Sequence, residues 1–158
     1  MYYLGSPFEQ ISQVDEATAL KRSGYYKEKE MKVPFADKII EAYHHGNIDL
    51  VIYVKARHGN KALIDFHNEH YGQGMSFHVE DYVAERTIHT TRFINSRISG
   101  FSVYHFDEYW RLKIDQAYDE KYGLIEYREL YYHDEEELPF EEQFFFASNW
   151  IIRKEKYK

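Results

Sequence analysis

A chain of 158 residues with a formal net charge of −7 and no cysteine has room for one domain and a core that needs no covalent staple. Disulfides, thiolate metal sites and cysteine nucleophiles are excluded, and the composition suits a reducing compartment. No apolar run nears the roughly 18 residues of a membrane span, and the first residues lack the basic and apolar regions of a secretory signal, so a soluble, cytoplasmic protein is expected.

With only 3 Pro and 8 Gly, each acts as punctuation. Ser6, Pro7 and Glu9 read as the N-cap, first position and capping box of a helix that runs through Ile11, Val14 and Leu20 to Gly24. Residues 25–33 are charged and alternating, as in an edge strand. Pro34 opens a second expected helix, with Phe35, Ile39, Ile40 and Tyr43 on one face and Gly46-Asn47 at its end. The β-branched run 48–55 predicts a central strand, residues 61–67 a second one, and Gly59-Asn60 a tight hairpin turn between them. After the loop 71–74, strands are expected at 76–83, 87–94, 101–106, 109–114 and 124–132, joined by short turns as in an antiparallel meander. Leu138-Pro139 restarts a helix that carries Phe140, Phe144 and Phe145 towards Trp150 and Ile151. The expected fold is a single α+β domain over 1–158. Its curved, mainly antiparallel β-meander carries N-terminal helices and a C-terminal helix packed on it.

Three sets of residues carry chemistry. Asp65, His67 and His70 bring a carboxylate and two imidazoles close together in sequence, the ligand types of a divalent-metal site. They match no standard spacing, so neither a metal nor another cofactor is expected. The second set lies in 57–97. Thr87, His89 and Thr91 share one face of a strand, and Arg57, His67, Arg92 and Arg97 add donors suited to a phosphate. Arg57, His67, His89, Thr91, Arg92 and Arg97 define an alternative small-molecule or nucleotide-phosphate site, sequestering or phosphoesterase-like. The His-x-Thr unit at His89 has no second copy, because His78, His105 and His133 lack the hydroxyl residue two positions on. Hydrolase elbows and nucleotide-binding glycine loops are missing as well, and the reading leans away from an enzyme.

The third set carries the main expectation. Aromatic residues make up 18% of the chain, and 107–143 holds 13 acidic against 4 basic side chains. Tyrosine and tryptophan anchor protein interfaces, and acidic neighbours repel phosphates while steering basic partners inwards. Tyr104, Glu108, Trp110, Tyr127, Tyr131 and Asp134 are the expected contact residues for a basic protein partner. An inhibitor, an immunity-type protein or a phage accessory protein would need this combination. Nucleic acid and membrane are not expected partners, and a homodimer through edge strands stays open.

Overall fold

The computed structural model describes residues 1–3, 13–56, 60–134, 136, 138–146 and 152–156. They are mainly β-strand and largely antiparallel. Two compact units divide the chain: Met1–Asp81 with Arg92–Ile98, and Tyr82–Thr91 with Ser99–Lys158.

The first unit contains β1 (Tyr2–Tyr3), β2 (Gln13–Val14), the short helix α1 (Glu16–Ala19), β3 (Gly24–Glu28), β4 (Lys38–His44), β5 (Asn47–Val54), α2 (Asn60–Tyr71) and the start of β6 (Phe77–Ala84). Its strands run in the order β2-β1-β3-β4-β5-β6. All neighbours are antiparallel except β5 and β6, which are parallel with Val51 opposite Phe77. Parallel neighbours need a crossover, and α2 supplies it.

That crossover overturns the expected hairpin at Gly59-Asn60. Residues 61–67 are helix, not strand. The short apolar run 62–64 suggests a strand, but over 60–71 Leu63, Phe66, His67 and Tyr71 recur at helical spacing. Gly72 then closes the helix with φ of 91°, its N–H donating to Asn68 O at 3.1 Å.

The expected helix over 34–46 is also replaced. Pro34 and Phe35 form a turn closed by the Val33–Ala36 bridge, and 38–44 is strand. Ile39, Ile40 and Glu41 are consecutive and buried, so this strand is covered on both faces. Such a continuous run mimics helical spacing. His45 and Gly46 both have positive φ, 48° and 80°, which makes the supposed helix cap a two-residue hairpin turn. Residues 6–12 of the expected first helix lie outside the described residues; over the rest of it the helix is replaced, since 13–14 is strand and only Glu16–Ala19 is helical.

α2 covers one face of this sheet. Phe35, Ile39, Val51, Tyr53, Leu63, Phe77 and Phe93 form the sealed cluster, with Phe77 and Phe93 stacked at 4.4 Å.

The second unit holds most of β7 (Thr87–Ile94) and β8 (Arg97–Phe106), followed by β9 (Leu112–Tyr118), β10 (Leu124–Tyr131), β11 (Glu141–Phe146) and β12 (Ile152–Lys156). β8 to β12 pair in sequence order, each antiparallel to the next, so the expected meander is present here. The expected C-terminal helix is not. Pro139 precedes a strand, and the aromatic run 144–146 takes the extended form that aromatic residues favour. Among the described residues this unit contains no helix.

Candidate functional site

Among the described residues no helix of the second unit covers β9, β10 and β11, and both faces of these strands are half-exposed. Of the 21 residues in β9, β10 and β11, Leu130 alone is buried. Register sorts the side chains. Ile114, Gln116, Tyr127, Glu129, Tyr131, Glu141, Gln143 and Phe145 share one face, and Asp115, Arg128, Leu130, Glu142 and Phe144 share the other.

The second face neutralises its own charge. Arg128 pairs with Asp115 at 3.0 Å and reaches Glu142 at 3.9 Å, with its guanidinium 6.0 Å from the Phe144 ring. The first face is arranged differently. Tyr127 and Tyr131 both donate their hydroxyls to Glu129, which lies between them at strand spacing. The Tyr127 bond and then the Tyr131 bond hold the Glu129 carboxyl below its ordinary range, so it stays charged. Burial and the same bond push the Tyr127 phenol up to about 12. The Tyr127 ring packs edge-on to Phe145 at 5.5 Å.

A second feature lies in the loop between β8 and β9. Asp107 organises it. Its Oδ1 accepts from the N–H groups of Tyr109 and Arg111 at 2.9 Å each, and its Oδ2 accepts from Arg111 Nε at 2.7 Å. Burial opposes the charge on Asp107, but the bonds from Arg111 and Tyr109 outweigh it and hold the pKa low. Arg111 also donates to the carbonyls of Asp134 and Glu136 at 2.6 and 2.7 Å. Its guanidinium lies against the rings of Tyr109 and Tyr132, 4.9 and 4.4 Å from their centroids. A cleft of about 700 Å³ lies beside it, lined by Glu108, Tyr109, Arg111, Tyr132 and Asp134.

The six expected contact residues therefore do not form one patch. Glu108 and Asp134 line the cleft, while Tyr127 and Tyr131 flank Glu129. Tyr104 sits opposite Asp115 and so belongs to the Arg128 face. Trp110, with φ of 59°, lies 5.9 Å from Phe106. Arg111 and Glu129 were missed by sequence reasoning, although Tyr-x-Glu-x-Tyr at a spacing of two was a readable signal for Glu129.

The alternative set fares differently. His67 is completely buried in the first unit. Its Nε2 donates to Met75 O at 2.9 Å, so its Nδ1 accepts from the Tyr53 hydroxyl at 2.9 Å. Burial lowers its pKa against the opposing Met75 bond. His67 thus belongs to the core and is corrected as a ligand-facing residue. Asp65 pairs outside with Lys61, and His70 stacks on Phe66. The helix splays the three candidate ligands Asp65, His67 and His70 apart, and no group of three ligating side chains converges among the described residues. His89 packs 5.7 Å from Phe101. Thr87, His89 and Thr91 are half-buried while Ile88 and Thr90 between them are sealed, as strand alternation requires. Arg92 and Arg97 lie in the first unit, and Arg57 falls outside the described residues.

No helix among the described residues is long and apolar enough to cross a membrane. No family model, curated protein or solved structure matches this chain.

Proposed function

We propose that this chain is a binding module, its second unit presenting an acidic, aromatic sheet to a basic protein partner. One observation carries the reading: a three-stranded region with a single buried residue lies in a segment holding 13 acidic and 4 basic side chains. Large half-exposed aromatic surface is uncommon on a protein that works alone, and fixed negative charge around it speeds encounter with a cationic partner. An inhibitor or immunity-type protein fits this description. The phosphate-site alternative has less support, because His67 is committed to the core.

The test is affinity capture from the native host lysate followed by cross-linking and mass spectrometry. Wild type would be run beside a Trp110→Ala/Tyr131→Ala double variant, with circular dichroism confirming that both fold. A basic protein cross-linked within 107–143 and lost by the folded variant supports the reading. Cross-links confined to the first unit, or capture unaffected by the double substitution, count against it.

A further inference from the structure

We infer that Glu129, held between Tyr127 and Tyr131, is the receptor for an arginine side chain of the partner. This assignment rests on the basic-partner reading and adds which face is used and what it recognises.

Two carboxylate oxygens offer about four lone-pair sites. The tyrosine hydroxyls use one on each oxygen, leaving one free on each. Two parallel acceptors of that kind match the fork of a guanidinium. Glu129 makes no ion pair within 4.0 Å among the described residues, and Lys113 adds only a small favourable charge interaction. The hydroxyl bonds fix its rotamer and keep it ionised, so little ordering is left to be done on binding. The flanking rings are half-exposed, Tyr131 by 36%, and offer faces on which a planar cation stacks.

The opposite face supplies the contrast. There Arg128 already occupies this role within the chain, paired with Asp115 and Glu142 and set near the Phe144 ring. The Glu129 face has the same components, carboxylates beside aromatic rings, and no guanidinium pairs with Glu129 there among the described residues. Glu141, opposite Tyr131 on the same face, adds a second acidic group; its pairing with Lys156 is long, at 3.9 Å, and that lysine is largely exposed.

The experiment is an NMR titration of the full chain with tetra-arginine and, separately, tetra-lysine peptides, followed on backbone amides and the Glu129 carboxyl carbon. Expected are shifts centred on 127–131 and 141–145, tighter binding of the arginine peptide, and about tenfold loss in Glu129→Gln. Tyr131→Phe, which keeps the ring and removes one bond to the carboxylate, should fall between wild type and Glu129→Gln. Glu142→Gln, on the opposite face, should bind like wild type. Circular dichroism of each variant separates lost binding from lost folding. Equal affinity for both peptides, or equal losses in Glu129→Gln and Glu142→Gln, overturns the assignment. Shifts confined to the cleft beside Arg111 overturn it and leave the wider reading standing. No shift anywhere in the second unit overturns both.

Discussion

The two units reach order by different means. In β4 and β5 of the first, 7 of 15 residues are buried; in β9 to β11 of the second, 1 of 21 is. The first unit is close to electrically balanced, with 12 acidic and 11 basic side chains, whereas the second holds 15 and 9. One unit is held by a helix pressed on a sheet, the other by cross-strand ladders, ring contacts and ion pairs. This contrast makes truncation the sharpest test. Phe77→Ala, at a fully buried ring stacked on Phe93, should cost about 3–5 kcal/mol. Phe144→Ala, on the half-exposed sheet, should cost about 1 kcal/mol or less. Urea unfolding combined with amide exchange in each unit measures both, and equal costs would erase the distinction.

A second test concerns pH, where the first unit carries buried ionisable groups. Glu80 is 7% exposed, its Oε2 has no hydrogen-bond partner among the described residues, and burial pushes its pKa up to about 8. Below the ordinary carboxyl value of 4.5, both folded and unfolded chains hold this proton. As pH rises towards 8 the unfolded chain releases it and the folded chain does not, so stability falls. His78 acts in the opposite sense. Burial, then Arg92, lowers it to about 4 from 6.5, so its contribution is whole above 6.5 and lost as pH falls through 4. Between 4.5 and 6.5 the two oppose each other, and from 6.5 to 8 the decline from Glu80 is uncovered. Glu80→Gln should flatten the fall in stability across pH 6.5–8 in a denaturant series. An unchanged slope would mean that Glu80 is not the group responsible.

The difference between the units also explains what the sequence disclosed. The strands 76–83, 87–94 and 124–132 were legible because Ile88 and Thr90 alternate with half-buried neighbours, and because Asn95 and Ser96 form a turn with positive φ at both. Where burial is two-sided, that alternation disappears. Ile39-Ile40-Glu41 then resembled a helix, and Ala62-Leu63-Ile64 a strand. The candidate site residues could be named from composition but not grouped: Tyr104 and Tyr127 look alike in sequence and stand on opposite faces of one sheet. Only register separates them. Arg111 was unreadable for a related reason, since its partners at Asp134 and Glu136 are backbone carbonyls that carry no side-chain signature.

Arg111 offers the next smaller effect, this time within the second unit. Its side chain and that of Asp107 are 15% and 18% exposed, so screening reduces what the pair contributes. Arg111→Ala would also leave the Asp134 and Glu136 carbonyls without their donor. A loss of about 1–2 kcal/mol is expected, with faster amide exchange over 107–111 and 132–136 and none added in the first unit. Exchange that accelerates equally in α2 would show that the loop is not a local device.

The smallest effect should be a gain. Thr90 in the second unit is 1% exposed, and its Oγ1 has no hydrogen-bond partner among the described residues. A buried hydroxyl without a partner loses its hydration and receives nothing in return. Valine keeps the shape and the β-branched preference for strand while replacing the hydroxyl with a methyl group. Thr90→Val should therefore stabilise the protein by about 1 kcal/mol, read as a higher urea midpoint with an unchanged slope. A lower midpoint would mean that the hydroxyl has a partner after all. The sealed positions of the second unit would then be as fully satisfied as those under α2, and its thin burial would be a matter of extent alone.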